Sequence, residues 1–257
     1  MLNIRLKFKQ FLAKPFFKQY CLLCASHDGG ELGLCGACLE SLPWHSVPQC
    51  PQCALVTQSA GLTCGSCLSS APDFDATHAL FSYDFPIDRL LQHYKYKNSL
   101  HLAQTFASLL LQYRLSGHAK LDHVNRYHVN RYHAKQHNID LIIPMPMHKA
   151  RLKQRGFNQA LEIARILSNK LHIPLDYTAC QRHKLTPPQA SLPHKERIKN
   201  IHGVFHCQQN LQGLNIAIVD DVMTTGASLN ELAKTLKQAG AVHVECWAIA
   251  RTLPKPH

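Results

Sequence analysis

From residue 79 onward, short apolar runs alternate with stretches in which apolar residues recur every three or four positions. Residues 79–83 are aromatic and apolar, which is typical of a strand, and helical spacing follows over residues 86–114. Asn98 and Ser99 interrupt this spacing, and Ser99 is a suitable N-cap for a second helix. The pattern therefore predicts one strand followed by two helices.

The second half of the chain continues this alternation. The apolar runs that predict strands are 140–143, 204–205, 216–219 and 242–250, with 175–180 as a further candidate. The stretches with helical spacing are 158–171 and 229–239, the second of which is followed by Gly240. Continuous apolar strands separated by helices are typical of a parallel sheet that is covered on both faces. We therefore expect an α/β fold.

The region before residue 79 has a different pattern, in which cysteines recur at fixed spacing. Eight of the eleven cysteines form two copies of one arrangement, and each cysteine of the first copy recurs 29 residues later. They are Cys21, Cys24, Cys35, Cys38, Cys50, Cys53, Cys64 and Cys67. Within a copy, two Cys-x-x-Cys pairs are separated by ten residues, which suits a tetrahedral Zn²⁺ site with four thiolate ligands. The register indicates an internal duplication with one structural zinc ion in each repeat, two in all.

Other uses of paired cysteines are disulfide bonds, an iron–sulfur cluster and redox thiols. Disulfide bonds need an oxidising compartment, and we find no export signal in the sequence. An iron–sulfur cluster also takes four cysteines, so spacing alone does not exclude it. One metal in each repeat is the simplest arrangement, although a cross-braced site made of Cys21, Cys24, Cys50 and Cys53 uses the same residues. We expect zinc in a structural role.

The charge of the chain is strongly positive, with 28 Lys and Arg against 16 Asp and Glu and a formal net charge of +12. Such a surplus favours polyanions such as nucleic acid, nucleotides or pyrophosphate and says nothing about the fold. Residues 1–19 are basic, and we interpret them as a short helix that packs on the protein itself. No apolar run approaches the ~20 residues that a membrane-spanning helix needs. We expect a cytoplasmic protein without a membrane span.

Residues 116–138 follow neither a helical nor a strand period. The sequence of residues 124–128 is repeated without change at 129–133, and histidines recur every five residues from His118 to His133. A five-residue period fits neither one face of a helix nor one face of a strand. We interpret this segment as a solvated loop that expanded by a short duplication, in preference to a metal site built from the histidines.

The most informative stretch joins the apolar run 216–219 to the helix after it. Asp220 and Asp221 follow the run directly, and hydroxyl and glycine residues occupy most of positions 224–228. Ligands of parallel sheets bind beyond the carboxyl ends of the strands, and a helix N-terminus suits a phosphate. Two carboxylates repel a phosphate but accept hydrogen bonds from hydroxyl groups such as those of a ribose. The stretch therefore predicts a site for a sugar 5-phosphate.

Residues 219–228 resemble the phosphoribosyl pyrophosphate (PRPP) motif of type I phosphoribosyltransferases. Segments 142–159 and 182–203, together with the eight cysteines, are similar to one branch of that superfamily, the ComF/GntX-like competence family. The resemblance covers most of residues 20–252. Ser228 departs from it, because threonine is common there, but serine keeps the hydroxyl group. The resemblance implies a type I phosphoribosyltransferase fold, a parallel sheet flanked by helices, preceded by a small N-terminal double zinc ribbon.

The resemblance also implies a role for each matching residue. Asp220 and Asp221 would accept hydrogen bonds from the ribose 2- and 3-hydroxyls. The 5-phosphate would lie against Thr224, Thr225, Gly226, Ala227 and Ser228, and the pyrophosphate against Pro144, Met145, Pro146, Met147 and His148. Arg151, Arg155, Arg182 and Lys184 would neutralise the pyrophosphate and complete the catalytic candidates with the two aspartates. Mg²⁺ would bind with PRPP, and residues 181–200 would form a flexible loop that closes over the substrate.

The expected domains are a basic helix at 1–19, a double zinc ribbon at 20–70 and a phosphoribosyltransferase-like domain at 71–257. By resemblance, the protein would bind PRPP or a related phosphosugar and act in DNA uptake or the use of external DNA. Its partners would include single-stranded DNA and DNA-uptake proteins. One alternative is an active phosphoribosyltransferase in nucleobase salvage, although the sequence has no recognisable nucleobase signature. The other is a nucleic-acid-binding module without catalysis, which the intact aspartate pair disfavours.

Overall fold

The computed structural model describes residues 19–96, 99–115, 138–185 and 201–254. Nearly all of the basic segment 1–19 and of the His-rich segment 116–138 lies outside the described residues, as does most of the predicted flexible loop 181–200. The interpretations of these three segments therefore stay predictions. The chain divides into two compact units, Met1–Ser41 and Leu42–His257, which we describe separately.

The two cysteine repeats have the same local structure, one in each unit. A short helix begins directly after the third cysteine of each repeat: α1, Gly36–Glu40, and α2, Gly65–Ser69. In the first repeat the amide of Cys21 donates to the carbonyl of Ser26 at 2.8 Å, and in the second the amide of Cys50 donates to that of Leu55 at the same distance. The hydrogen bonds thus keep the 29-residue register of the sequence, which supports the duplication.

The larger unit contains the remaining helices and strands of the described residues. In chain order they are β1 (Ala76–Ser82), α3 (Ile87–Tyr96), α4 (His101–Leu115), β2 (Leu141–Pro144), α5 (Lys149–Arg155), α6 (Gln159–Leu171), β3 (Cys180–Arg182), β4 (Phe205–Cys207), β5 (Asn215–Met223), α7 (Ala227–Gln238) and β6 (His243–Arg251). Helices α4 and α6 pack on each other and on the sheet, and α7 packs on β5 and β6.

In the described part of the chain, the main sheet has four parallel strands in the order β1–β6–β5–β2, so β5 and β6 are its central strands. The run Ile216–Val219 of β5 is fully buried, which explains why its sequence is continuously apolar. Strands β3 and β4 form a separate antiparallel pair. A parallel sheet with helices packed on it agrees with the predicted type I phosphoribosyltransferase fold. The carboxyl ends of β2 and β5 are neighbours, and the loops after them meet there.

Most predicted elements are confirmed within a few residues, and the differences have local causes. Residues 175–180 do not form a strand of their own: Leu175 makes an isolated bridge to Ile142, and β3 begins only at Cys180. Helix α5 was not predicted, because its seven residues are mostly polar and too few to display a period. Strand β5 runs on through Asp220 and Asp221 to Met223, four residues beyond the apolar run.

The second cysteine repeat is part of the hydrophobic core of the larger unit. The Trp44 ring packs on the Phe81 ring of β1 with centroids 4.7 Å apart. The amide of His45 donates to the carbonyl of Leu80 at 3.0 Å, and the amide of Thr77 donates to that of Pro51 at 3.1 Å. The second repeat therefore folds against the sheet. The predicted domain boundary at residue 70 stays a prediction. The two compact units are defined by contacts within the chain, whereas the predicted boundary separates a zinc ribbon from a phosphoribosyltransferase-like domain.

Candidate functional site

A cavity of about 460 Å³ opens at the carboxyl ends of β2 and β5. This is the position at which open parallel sheets bind ligands. Among the described residues, four cationic side chains and two carboxylates line it: Lys95, Arg151, Arg155, Arg182, Asp220 and Asp221. Within the part of the chain that the structure describes, it is also where the two predicted phosphate loops come together. The surplus of cations suits an anionic ligand that also carries hydroxyl groups.

The two carboxylates at the end of β5 have different surroundings. Burial, and after it the neighbouring Asp221, raises the pKa of Asp220 to about 7. Asp221 forms an ion pair with the Lys95 ammonium of α3, with Nζ 2.9 Å from Oδ2. Burial acts to lower the pKa of Lys95, but Asp221 and then Asp220 outweigh it, and the pKa is raised. Asp221 thus faces a fixed cation, whereas Asp220 can take up a proton near neutrality.

The loop between β5 and α7 turns sharply at Gly226, the N-cap of α7. Its φ of 81° lies in the left-handed region, and a Cβ added there would come within 2.8 Å of the Met223 Cε atom. The Thr225 hydroxyl accepts a hydrogen bond from the amide of Ala227 at 3.3 Å. The first-turn amides of a helix lack carbonyl partners within the helix, so this end of α7 is a suitable place for a phosphate.

Asn158 joins the loop after β2 to helix α6. Its Oδ1 atom accepts hydrogen bonds from the amides of Ala160 and Leu161 at 3.1 and 3.4 Å, which caps α6. Its Nδ2 atom donates to the carbonyl of Met145 at 3.1 Å. One side chain therefore both begins the helix and fixes the predicted pyrophosphate loop.

The arginines of the cavity form a cluster of like charges. Arg155 donates to Gln159 Oε1 at 3.2 Å and to the Tyr96 hydroxyl at 3.4 Å, so its guanidinium is held in place. Burial, and then Arg155, lowers the pKa of Arg151. Burial, and then Arg151, lowers the pKa of Arg182. Because these cations destabilise one another, the cluster favours a bound anion such as pyrophosphate.

The structure brings most of the predicted phosphosugar residues to this one cavity. Those that line it are Met145, Pro146, Met147, His148, Arg151, Arg155, Arg182, Asp220, Asp221, Thr224, Gly226 and Ser228. Four predicted residues do not line it. Pro144 is buried at the end of β2, Lys184 is exposed beyond β3, and Thr225 and Ala227 bond to each other within the turn. The individual roles of all these residues remain predictions.

Lys95 is a functional candidate of this cavity that the sequence analysis missed. It lies four residues after Leu91, and Leu91 belongs to the buried stripe of α3. A lysine on the buried face of a helix needs an acidic partner, because an unpaired buried charge is unfavourable. Its position on that face was the feature of the sequence that could have identified Lys95. The partner, Asp221, is far away in sequence, so spacing alone could not identify it.

Each cysteine repeat gathers its own four sulfur atoms. The Sγ atoms of Cys21, Cys24, Cys35 and Cys38 all lie within 4.8 Å of one another, and so do those of Cys50, Cys53, Cys64 and Cys67. Zn–S bonds of about 2.3 Å place tetrahedral sulfurs about 3.8 Å apart. The Sγ atoms of Cys24 and Cys35 are 3.6 Å apart, and those of Cys53 and Cys64 are 3.5 Å apart. The residues therefore fit two structural zinc ions in tandem, and the cross-braced pairing is excluded.

Comparison with known families agrees with both parts of the fold. Residues 12–68 match the double zinc ribbon domain, and residues 158–255 match the phosphoribosyl transferase domain. No helix among the described residues is long and apolar enough to cross a membrane.

Two bacterial proteins are similar along most of the chain, and a third is similar along less than half of it. Competence protein F of Haemophilus influenzae is 30% identical over 243 residues, which are 92% of this chain and 98% of that protein. DNA utilization protein YhgH of Escherichia coli is 31% identical over 234 residues, 91% of this chain and 97% of that protein. Competence protein ComFC of Bacillus subtilis is 32% identical over 114 residues, which cover 44% of this chain and 45% of that protein.

Proposed function

This chain belongs to the family of competence protein F and DNA utilization protein YhgH, and we propose that it binds PRPP or a related phosphosugar while acting in DNA uptake or use. The observation that carries the proposal is the cavity in which Asp220 and Asp221 face an arginine cluster. Carboxylates accept hydrogen bonds from hydroxyl groups, and guanidinium groups bind phosphate oxygens. A ligand that suits both sides is a sugar with hydroxyl groups and more than one phosphate.

The proposed pose follows the order of groups along the cavity. The ribose hydroxyls donate to Asp220 and Asp221, and the 5-phosphate lies at the start of α7 against Thr224, Gly226 and Ser228. The pyrophosphate lies against residues 145–148, with Arg151, Arg155 and Arg182 around it. Lys95 holds the Asp221 side chain in place for the ribose through their ion pair.

This pose would also favour transfer of the phosphoribosyl group. Positive charge develops on the ribose carbon while negative charge develops on the departing pyrophosphate, so fixed charges and positioning dominate such a reaction. The arginine cluster is placed to stabilise the leaving pyrophosphate, and the carboxylate pair holds the ribose still. Mg²⁺ bound with the phosphosugar supplies further neutralisation of the phosphate oxygens.

The decisive experiment is calorimetry with PRPP and Mg²⁺ on the parent and on an Asp220→Asn/Asp221→Asn variant. Asparagine keeps the shape of the site and removes two charges. A hydrogen bond to a charged group contributes about 1.5–3 kcal/mol, so we expect PRPP affinity to fall at least tenfold. Asp84→Asn, at an exposed carboxylate on the same unit, is the matched control. Equal affinity of the double variant and the parent contradicts the phosphosugar proposal and leaves the fold as a scaffold.

The DNA part of the proposal needs its own measurement. The net charge of +12 suits a polyanion, and two similar proteins are named for DNA utilization or competence. We expect single-stranded DNA to bind in the same calorimeter, with an affinity that falls as salt rises. Binding that ignores the aspartate changes places DNA on a separate surface. Release of pyrophosphate from PRPP when a nucleobase is added identifies an active transferase.

The proposed organisation completes this picture. We propose a double zinc ribbon at 20–70 before a phosphoribosyltransferase-like domain at 71–257, in a cytoplasmic protein. Cytoplasmic thiolates stay reduced and available as zinc ligands, which is consistent with the two four-cysteine clusters.

A further inference from the structure

Arg251, the last residue of β6, connects the second cysteine repeat to the phosphate loop. Its Nε atom donates to the carbonyl of Cys53 at 2.8 Å. Its Nη1 atom donates to the carbonyls of Thr224 and of Met223, the latter at 3.2 Å, and to its own neighbour Thr252 at 3.0 Å. The side chain is only 3% exposed. One buried guanidinium group thus holds a zinc-ligand residue and the first residue of the loop 224–228.

The position of the Cys53 carbonyl depends on the metal site. Cys53 is one of four cysteines whose sulfurs converge on a single point, so a zinc ion there fixes the backbone of Cys53. A zinc ion with four thiolates is formally doubly negative. The Arg251 guanidinium is close enough to interact electrostatically with Cys53, Cys64 and Cys67. Metal binding therefore sets both the place of the carbonyl acceptor and the negative charge that faces the arginine.

The other end of this connection is the loop 224–228. Gly226 has no side chain, and the Thr225 hydroxyl is bonded within the turn. The carbonyl of Thr224, by contrast, is held by the planar and rigid Arg251 guanidinium. Because a guanidinium presents its donors in a fixed fork, a shift of the Cys53 carbonyl must move the Thr224 carbonyl as well or break one of the two bonds.

We propose that Arg251 is a positioning residue that makes the geometry of the phosphate loop depend on the metal of the second zinc site. Zinc in the site of Cys50, Cys53, Cys64 and Cys67 holds Arg251, and Arg251 holds residues 224–228 in the shape that receives a 5-phosphate. The expected effect of the metal on PRPP affinity rests on the proposed phosphosugar function. The expected effect of the metal on the conformation of residues 224–228 does not.

The duplication supplies a matched pair of variants. Cys64→Ser removes one ligand of the second site and leaves Arg251 and its two carbonyl acceptors, those of Cys53 and Thr224, chemically unchanged. Cys35→Ser removes the corresponding ligand of the first site, 29 residues earlier. We measure hydrogen–deuterium exchange of the amides of residues 224–228, zinc content and PRPP affinity. Cys64→Ser should speed exchange in the loop and weaken PRPP binding at least fivefold, whereas Cys35→Ser should leave both as in the parent. Both variants should lose about one zinc per chain.

A second variant tests whether Arg251 carries the effect. Lysine keeps the positive charge but is a single point donor, so Arg251→Lys cannot hold both carbonyls as the guanidinium does. Alone it should speed loop exchange as Cys64→Ser does. Added to Cys64→Ser it should change little more, because both substitutions break the same connection. If Arg251→Lys fails to fold, the difference in loop exchange between Cys64→Ser and Cys35→Ser still tests whether the loop depends on the second zinc site.

The two proposals fail in different ways. A parent protein that does not bind PRPP ends the phosphosugar function, while loop exchange still reports on Arg251. Equal loop exchange in Cys64→Ser and Cys35→Ser overturns the role of Arg251. So does faster exchange spread evenly over β5 and β6, because that is general loosening of the core. Fully additive effects of Arg251→Lys and Cys64→Ser overturn it as well.

Discussion

Asp220 destabilises the unliganded protein because its charged form is disfavoured where it stands. Its pKa is about 7 in the folded protein, through burial and the neighbouring Asp221, against about 4 in an unfolded chain. Between those two values the folded protein keeps a proton that the unfolded chain has lost. The free energy of unfolding therefore falls as pH rises through this window, and the loss is complete above pH 7.

We expect Asp220→Asn to stabilise the protein more at pH 8.5 than at pH 5.5. Asparagine removes the charge whose burial is unfavourable, and that charge is present in the folded parent only at the higher pH. A shift of one pKa unit corresponds to about 1.4 kcal/mol, and 1 kcal/mol moves the melting temperature of a chain of this size by about 2–4 °C. The melting temperature should rise by several degrees at pH 8.5.

Calorimetric melting of parent and variant at both pH values measures this difference. Asp84→Asn, at an exposed aspartate, should change the melting temperature equally little at the two pH values. A gain from Asp220→Asn that is the same at pH 5.5 and 8.5 contradicts the assigned environment of Asp220.

Single residues were predictable from the sequence where a local motif contains the chemistry. Asp220, Asp221 and Gly226 are within one short stretch, and the structure places all three at the cavity. Lys95 and Arg251 were missed because their partners are remote in sequence: Lys95 bonds Asp221, and Arg251 bonds Cys53 and Thr224. Only the folded chain brings such pairs together.

At the scale of elements, the start of α6 and the loop after β2 depend on the same side chain. Asn158 caps the helix through Oδ1 and holds the Met145 carbonyl through Nδ2. Replacing an asparagine N-cap by alanine costs about 1 kcal/mol. We expect Asn158→Ala to lower the unfolding free energy by about that amount and to weaken PRPP binding severalfold, as measured by urea titration and calorimetry.

Asn158→Asp separates the two roles of this side chain. Aspartate caps a helix as well as asparagine does, but its carboxylate cannot donate to the Met145 carbonyl. Stability should stay near that of the parent while PRPP binding remains weak. If Asn158→Asp binds PRPP as the parent does, the hydrogen bond to Met145 has no part in forming the pyrophosphate loop.

The ends of helices and strands were predictable where the apolar pattern continues to the end of the element. They were less predictable where functional polar residues interrupt that pattern. The continuous apolar run 216–219 identified β5. Its last four residues were not predicted, because the run ends at Asp220 and Asp221. The pair β3–β4 shows a second limit: Cys180 and Cys207, which stand alone in sequence, are directly opposite each other. Pairing between short strands separated by a long connection leaves no local period to detect.

At the scale of the whole molecule, the duplicated cysteine repeats have the same local structure and different surroundings. The first repeat is in the unit Met1–Ser41 and the second in the unit Leu42–His257. In the second, Cys50, Cys53 and Cys67 are buried in the core cluster that also contains residues of β5 and α7. The sequence revealed the duplication but could not indicate this difference, because both copies have the same spacing and nothing in that spacing encodes a tertiary partner.

We therefore expect the two zinc ions to differ in what their removal does to the larger unit. Protein prepared without added metal should contain two zinc ions per chain by element analysis, and no iron absorbance. Cys35→Ser should reduce the count to about one and leave the thermal transition of the larger unit in place. Trp247 of the larger unit is fully buried in β6, so its fluorescence reports the thermal transition of that unit.

Cys64→Ser should also leave about one zinc but lower that transition, since the second site is built into the core. Metal binding to a folded site contributes directly to folding free energy, so its loss is felt wherever the ligands pack. Equal transitions in the two variants mean that the second ribbon folds independently of the sheet. If the parent contains only one zinc ion per chain, one of the two cysteine clusters is not a metal site. That cluster is the one whose variant, Cys35→Ser or Cys64→Ser, leaves the zinc content unchanged.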